Sequence, residues 1–155
     1  METIEYKGIE IEIDYDECLM NPRKDWDNLG TIVYNHSRYN LGDEEIGDPI
    51  EWLEGMLGLN NQYEYSNQRL QELEAKFCVE YIALPVYLMD HSGLILSTSP
   101  FGCKWDSGKV GYIYISREKV EKEYGYKRIT KARRKEIEGY LEGEIEFMNN
   151  YVHRS

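Results

Sequence analysis

The sequence predicts an α+β fold: an antiparallel or mixed sheet of about five strands, with helices packed on one side and a long C-terminal helix. Three observations carry that prediction. Short runs near the start and in the middle of the chain alternate apolar and polar residues, the period of a strand. Other segments, including the last one, repeat apolar residues at helical spacing. Gly, Pro, Asn and Asp cluster between these periodic segments, and no repeat, linker or low-complexity stretch divides the 155 residues, so a single domain spanning 1–155 is expected.

The elements follow in order. Ile9, Ile11, Ile13 and Tyr15 alternate with Glu10, Glu12, Asp14 and Asp16, which describes a half-buried strand with an acidic outer face, preceded by a turn or bulge at Lys7 and Gly8. Residues 17–28 carry loop chemistry, LGTIVY (29–34) makes a second short strand, and NHSRYNLGDEEIGDP (35–49) is a further polar loop. Asp48 as N-cap, Pro49 at the first helical position, Glu51 three residues after the cap and Gly58 past the end delimit a helix whose apolar face is Ile50, Leu53, Met56 and Leu57. Asn67 is the expected cap of a second helix, with Leu70, Leu73 and Phe77 on one stripe. Two strands joined by a turn at Asp90 to Gly93 come next, with Pro85 implying an edge or bulged position. After the glycine-bearing loop FGCKWDSGK (101–109), VGYIYIS (110–116) forms another strand. Ser116 and Gly125 bracket a short helix, and Thr130 opens the longest one, along which Ile137, Tyr140, Leu141, Ile145, Met148 and Val152 keep a helical stripe.

Charge is distributed unevenly. Residues 1–54 hold fifteen acids against four bases, a balance of -11, whereas residues 55–155 hold fourteen of each. The whole imbalance lies in the first third, which therefore repels nucleic acid and attracts basic protein surfaces, including surfaces that themselves bind nucleic acid. No apolar run reaches the ~18 residues of a membrane span, and the N-terminus lacks an export signature, so a soluble intracellular protein with no membrane association is expected. Cys18, Cys78 and Cys103 are widely separated and form no CxxC pair, which argues against a disulfide framework or a zinc site.

Four constellations could carry chemistry. Asp14, Asp16, Glu17, Asp25 and Asp27 crowd two neighbouring stretches, but their spacing fits no EF-hand; the expectation is Asx turns, with no metal and no cofactor. His36, Arg38, Asp90, His91 and Cys103 sit in polar loops and would form a ligand pocket or nucleophilic site if folding brought them together. Lys127, Arg128, Lys131, Arg133, Arg134 and Lys135 surround the start of the last helix, the end where the macrodipole disfavours cations. Acids of the chain's own first third, or of a neighbouring subunit in a homo-oligomer, are their expected partners, ahead of direct nucleic-acid binding. Tyr34, Tyr39, Tyr63 and Tyr65, in or beside polar loops, suit an interface.

The segments NPRKDWDNLGT (21–31), HSRYNLGD (36–43), LPVYLMDHSG (84–93) and STSPFGCKWDSGKVGYIYIS (97–116) resemble a family of small, mostly uncharacterised proteins of bacteriophages and mobile elements of Gram-positive bacteria. The resemblance extends from about residue 14 to about residue 140. It implies a phage or prophage accessory protein working in the host cytoplasm, and it supplies no catalytic residues. Small acidic phage proteins of this kind often inhibit bacterial defence systems, an analogy from origin and charge rather than from a site.

The functional expectation is an anti-CRISPR-like inhibitor, in the manner of a DNA mimic. Its partner would be a host protein with a basic surface, such as a CRISPR effector or another nucleic-acid-binding defence protein. Glu10, Glu12, Asp14, Asp16, Arg23, Trp26, Asp27, Arg38 and Tyr39 are the expected contact residues. The alternative is a small-ligand binder or enzyme built on the His36, Arg38, Asp90, His91 and Cys103 pocket.

Overall fold

The computed structural model describes residues 2–6, 9–13, 21–25, 27–59, 65–90, 93–100 and 107–154, with the backbone alone for 2–6, 9–13, 25, 107 and 153–154. The chain opens with an antiparallel hairpin of β1 (Glu2–Tyr6) and β2 (Ile9–Ile13), separate from the main sheet. Its register sets Glu5 opposite Glu10 and Thr3 opposite Glu12. The expected acidic strand is thus the second arm of a hairpin. The first arm, ETIEY, has only Ile4 and Tyr6 as apolar residues in a period of two, too short a run to announce a strand.

A short helix α1 (Pro22–Asp25) leads to β3 (Thr31–Tyr34), and β4 (Glu44–Glu45) follows across a loop. Helix α2 (Pro49–Leu57) begins as expected: Asp48 accepts from the N–H groups of Ile50 and Glu51, and Gly58 ends it in the left-handed region at φ 67°. Helix α3 (Asn67–Glu80) is capped by Ser66 rather than Asn67, the serine hydroxyl accepting from Arg69 N. Strands β5 (Tyr81–Asp90), β6 (Leu94–Ser97) and β7 (Ser107–Ser116) follow, then α4 (Arg117–Tyr124), with Ser116 and Gly125 as its caps. The last helix, α5 (Lys131–Arg154), starts with Thr130 Oγ1 accepting from Arg133 N.

The main sheet has five strands in the order β4-β3-β7-β5-β6, mixed because β4 runs parallel to β3 while the other pairs are antiparallel. Pro85 lies in the interior strand β5, opposite Tyr112 of β7. Among the described residues no ladder faces its other side, because β6 pairs only from Tyr87 onward, and a register shift falls between Val86 and Tyr87.

Helices cover both faces of the sheet rather than one. Alternate strand residues are buried on opposite sides: Ile32, Ile82, Ile113 and Ile115 join Val120 of α4 and Ile137, Leu141, Ile145 and Met148 of α5. Val33, Ala83 and Tyr112 join Ile50 and Leu53 of α2 and Leu73 and Phe77 of α3. Trp52 extends this second core, stacked on Tyr112 at 5.9 Å and edge-on to Phe77 at 5.3 Å. No described helix is long and apolar enough to cross a membrane.

Candidate functional site

Two features stand out: an acidic edge at the β4 side of the sheet, and a cationic cleft bounded by α1, the 36–40 turn, the start of β6 and the end of α5. The edge begins with β4, whose two residues, Glu44 and Glu45, are both exposed on the outermost strand. It continues through Asp48 and Glu51 at the start of α2. Asp48 is occupied as the helix cap, and Glu51 Oε1 accepts from the Tyr65 hydroxyl at 3.0 Å. Among the described residues none of these four carboxylates has a Lys or Arg within ion-pair distance. Their field reaches inward. Burial raises the pKa of Tyr34 and Tyr114, and Glu45 and Glu44 respectively raise it further.

The neighbouring acids behave differently. Glu54 is 3% exposed and pairs with Arg69 at 2.9 Å, tying α2 to α3. Asp43 accepts from Arg23 and from Ile32 N, so it belongs to the scaffold.

Arg23 is therefore corrected from contact residue to internal tie. Its side chain is 3% exposed and its guanidinium donates to Asp43, to Glu144 Oε1 at 2.8 Å and to the Gly30 carbonyl at 2.6 Å. Glu144 in turn accepts from Leu29 N and Gly30 N. One cation thus joins α1, the entry to β3, the loop before β4 and α5. A planar fork with five N–H donors suits that junction.

Of the residues expected to form a pocket, His36, Arg38, Asp90, His91 and Cys103, the first three are described, and each touches Tyr39. His36 Nδ1 accepts from the N–H groups of Arg38 at 3.1 Å and Tyr39 at 3.3 Å, closing a turn and fixing that ring nitrogen as the acceptor. Arg38 lies over the Tyr39 ring, its Cζ 5.3 Å from the centroid, and the Tyr39 hydroxyl donates to Asp90 Oδ2 at 3.3 Å. Beside this turn opens a cleft of about 620 Å³ lined by Lys24, Arg38, Tyr39, Asn40, Leu94 and Tyr151, among others. His36 serves the turn rather than the cleft wall. His91 and Cys103 lie outside the described residues, as do Asp14, Asp16 and Trp26; for Glu10 and Glu12 only the backbone is described. Asp27 is exposed.

The basic cluster does not meet the acids of the first third among the described residues. Arg134 donates to the Cys78 carbonyl at 2.7 Å, to the Tyr81 carbonyl at 3.3 Å and to Glu138 at 3.2 Å, so it secures the junction of α3 and β5. Arg133 stacks over Tyr126 at 4.2 Å and donates to the Arg128 carbonyl. Lys127, Arg128, Lys131 and Lys135 are exposed. Of the tyrosines singled out, Tyr34 is core at 7% exposure, Tyr39 lines the cleft, Tyr65 is exposed, and Tyr63 lies outside the described residues.

Among the described residues no group of three or more His, Cys, Asp or Glu side chains is arranged to hold a metal ion. Glu44 and Glu45 were visible only as part of the charge imbalance, and Asp48 and Glu51 only as helix-start signals within it. Lys24 and Tyr151 gave no sequence signal, because only the packing of α1 near α5 brings both to the wall of one cleft. Comparison with protein-family models, with curated proteins and with solved structures finds no match to this chain.

Proposed function

We propose that the chain is a binding protein that docks its acidic edge onto a basic surface of another protein. The observation that carries this reading is the set of four carboxylates, Glu44, Glu45, Asp48 and Glu51, left without a cationic partner among the described residues while the adjacent Asp43 and Glu54 are each neutralised by an arginine. Like charges held together on a rigid edge repel one another, and a cationic surface that replaces water around them removes that repulsion. An outermost strand two residues long, made of glutamates, also discourages pairing with another sheet edge, which leaves side-chain electrostatics as the mode of recognition.

In its fuller form the proposal is an accessory protein of phage origin that acts in the host cytoplasm. There it occupies the nucleic-acid-handling surface of a defence protein, a CRISPR effector being one such target. The resemblance of residues 14–140 to phage and mobile-element proteins supports the origin, and the sign of the edge supports the class of target. No reaction is required of the chain.

The test is a pull-down from a Gram-positive host with the wild-type chain and with E44Q/E45Q/D48N/E51Q. Asparagine keeps the cap at position 48, so the variant folds. A basic protein retained by the wild type and lost by the variant is the expected result. Equal retention by both removes the edge as the contact.

A further inference from the structure

We propose that the cleft between α1, the 36–40 turn, the start of β6 and the end of α5 is a binding site for a nucleoside phosphate. The starting point is a local reversal of sign. In a chain of net charge -11, the cleft of about 620 Å³ is lined by two cations, Lys24 and Arg38, and by no acid among the described residues. Neither cation has a carboxylate partner there, whereas Arg23, one position before Lys24, is fully engaged. Both Lys24 and Arg38 are exposed to the solvent of the cleft. Two unpaired cations facing one concavity attract an anion carrying more than one charged oxygen, and a guanidinium presents paired donors to phosphate oxygens.

The rest of the lining selects what the phosphate is attached to. Tyr39, Tyr151, Leu94 and Val152 supply ring and aliphatic surface, and Asn40, whose Oδ1 accepts from Gly42 N, supplies an amide N–H group of the kind that reads the polar edge of a heterocycle. The volume lies inside the range of about 300–1,000 Å³ typical of small-molecule sites. Tyr39 is held ready by three contacts already present: its N–H to His36, its hydroxyl to Asp90, and its ring beneath Arg38. A wall fixed in advance loses little freedom when a ligand arrives. The site is separate from the acidic edge and stands or falls independently of the docking reading.

Titration calorimetry with AMP, inorganic phosphate and adenosine tests it, alongside the melting temperature with each compound present. AMP is expected to bind with a submillimolar Kd and to raise the melting temperature. Phosphate alone and adenosine alone should each bind at least tenfold more weakly. In K24Q/R38Q the AMP affinity should fall at least tenfold while the ligand-free melting temperature drops by no more than about 4 °C, the loss expected for one exposed cation–π contact with Tyr39. A 5′-phosphorylated oligonucleotide tells the two sources of this chemistry apart: tighter binding than AMP, with the same sensitivity to K24Q/R38Q, assigns the site to a strand end, and weaker binding assigns it to a free nucleotide. Absence of AMP and oligonucleotide binding at millimolar concentration, or affinity untouched by K24Q/R38Q, overturns the proposal. Phosphate binding as tightly as AMP overturns its nucleoside half.

Discussion

Replacing Arg23 with alanine tests the way the chain assembles the region around both sites. In the native structure one guanidinium with 3% of its side chain exposed answers Asp43, Glu144 and the Gly30 carbonyl. Truncation leaves two carboxylates, 27% and 14% exposed, without their cation, and one carbonyl without its donor. Breaking a buried ion pair by removing one partner costs about 3–5 kcal/mol. The lower end applies here, because Glu144 keeps the N–H groups of Leu29 and Gly30, and Asp43 keeps that of Ile32. A loss of about 3 kcal/mol in a chain of this length lowers the melting temperature by roughly 6–12 °C. R23K should recover less than half of that, since an ammonium cannot serve three acceptors in a plane. Thermal unfolding followed by circular dichroism reads both variants. A fall of under 2 °C in R23A, or full recovery in R23K, would refute the role of Arg23 as an internal tie and return it to the surface.

Two further outcomes follow from the same kind of reasoning. R69A should destabilise the protein by about 3–5 kcal/mol by stranding Glu54 beneath α2 and α3, while the double variant E54L/R69M should be much closer to wild type in chemical denaturation, because an apolar pair needs no neutralisation. The Tyr112 hydroxyl donates to Glu74 at 2.5 Å and its pKa is driven upward, first by burial and then by that hydrogen bond. A proton held more tightly in the folded state gives stability that is intact below the unfolded tyrosine value near 10 and declines as the pH rises above it, by up to about 1.4 kcal/mol per pH unit. Urea unfolding between pH 8 and 11 should therefore show a shallower alkaline decline in Y112F than in wild type; identical slopes would contradict the assignment.

Much of the fold was legible because the signals were local. The caps Asp48, Ser116, Gly58 and Gly125 act within one turn of the helices they delimit, so their residue types alone mark the boundaries. The stripe of Ile137, Leu141, Ile145 and Met148 declares the buried face of α5 in the same way. Four strands of the main sheet, β3, β5, β6 and β7, were legible from their apolar runs, whereas the fifth expected strand, the acidic one, pairs with β1 in the separate hairpin. What stayed hidden depends on partners distant in sequence. β4 consists of two glutamates with no apolar residue, so only its pairing with Val33 and Tyr34 makes it a strand. Burial of the sheet on both faces was masked because tyrosines such as Tyr112 and Tyr114 read as polar as readily as core. Arg23 resembled a loop arginine until its acceptors arrived from residues 43 and 144. Of the candidate sites, the acidic third was visible by counting, but which of its members are free was not. The distinction between Asp43 and Glu44 lies in two donors brought by the fold, the Arg23 guanidinium and the Ile32 N–H, which reach only Asp43.

The acidic edge is tested most directly by the salt dependence of binding to the captured partner, measured for the wild type and for E44Q/E45Q/D48N/E51Q between 50 and 300 mM salt. Over that range the screening length shortens from about 14 Å to about 6 Å, so contacts among exposed charges weaken steeply. The wild-type affinity should fall with salt, and the variant should bind weakly with little salt dependence. A wild-type affinity indifferent to salt, or a variant that retains both the affinity and its slope, would contradict docking through Glu44, Glu45, Asp48 and Glu51.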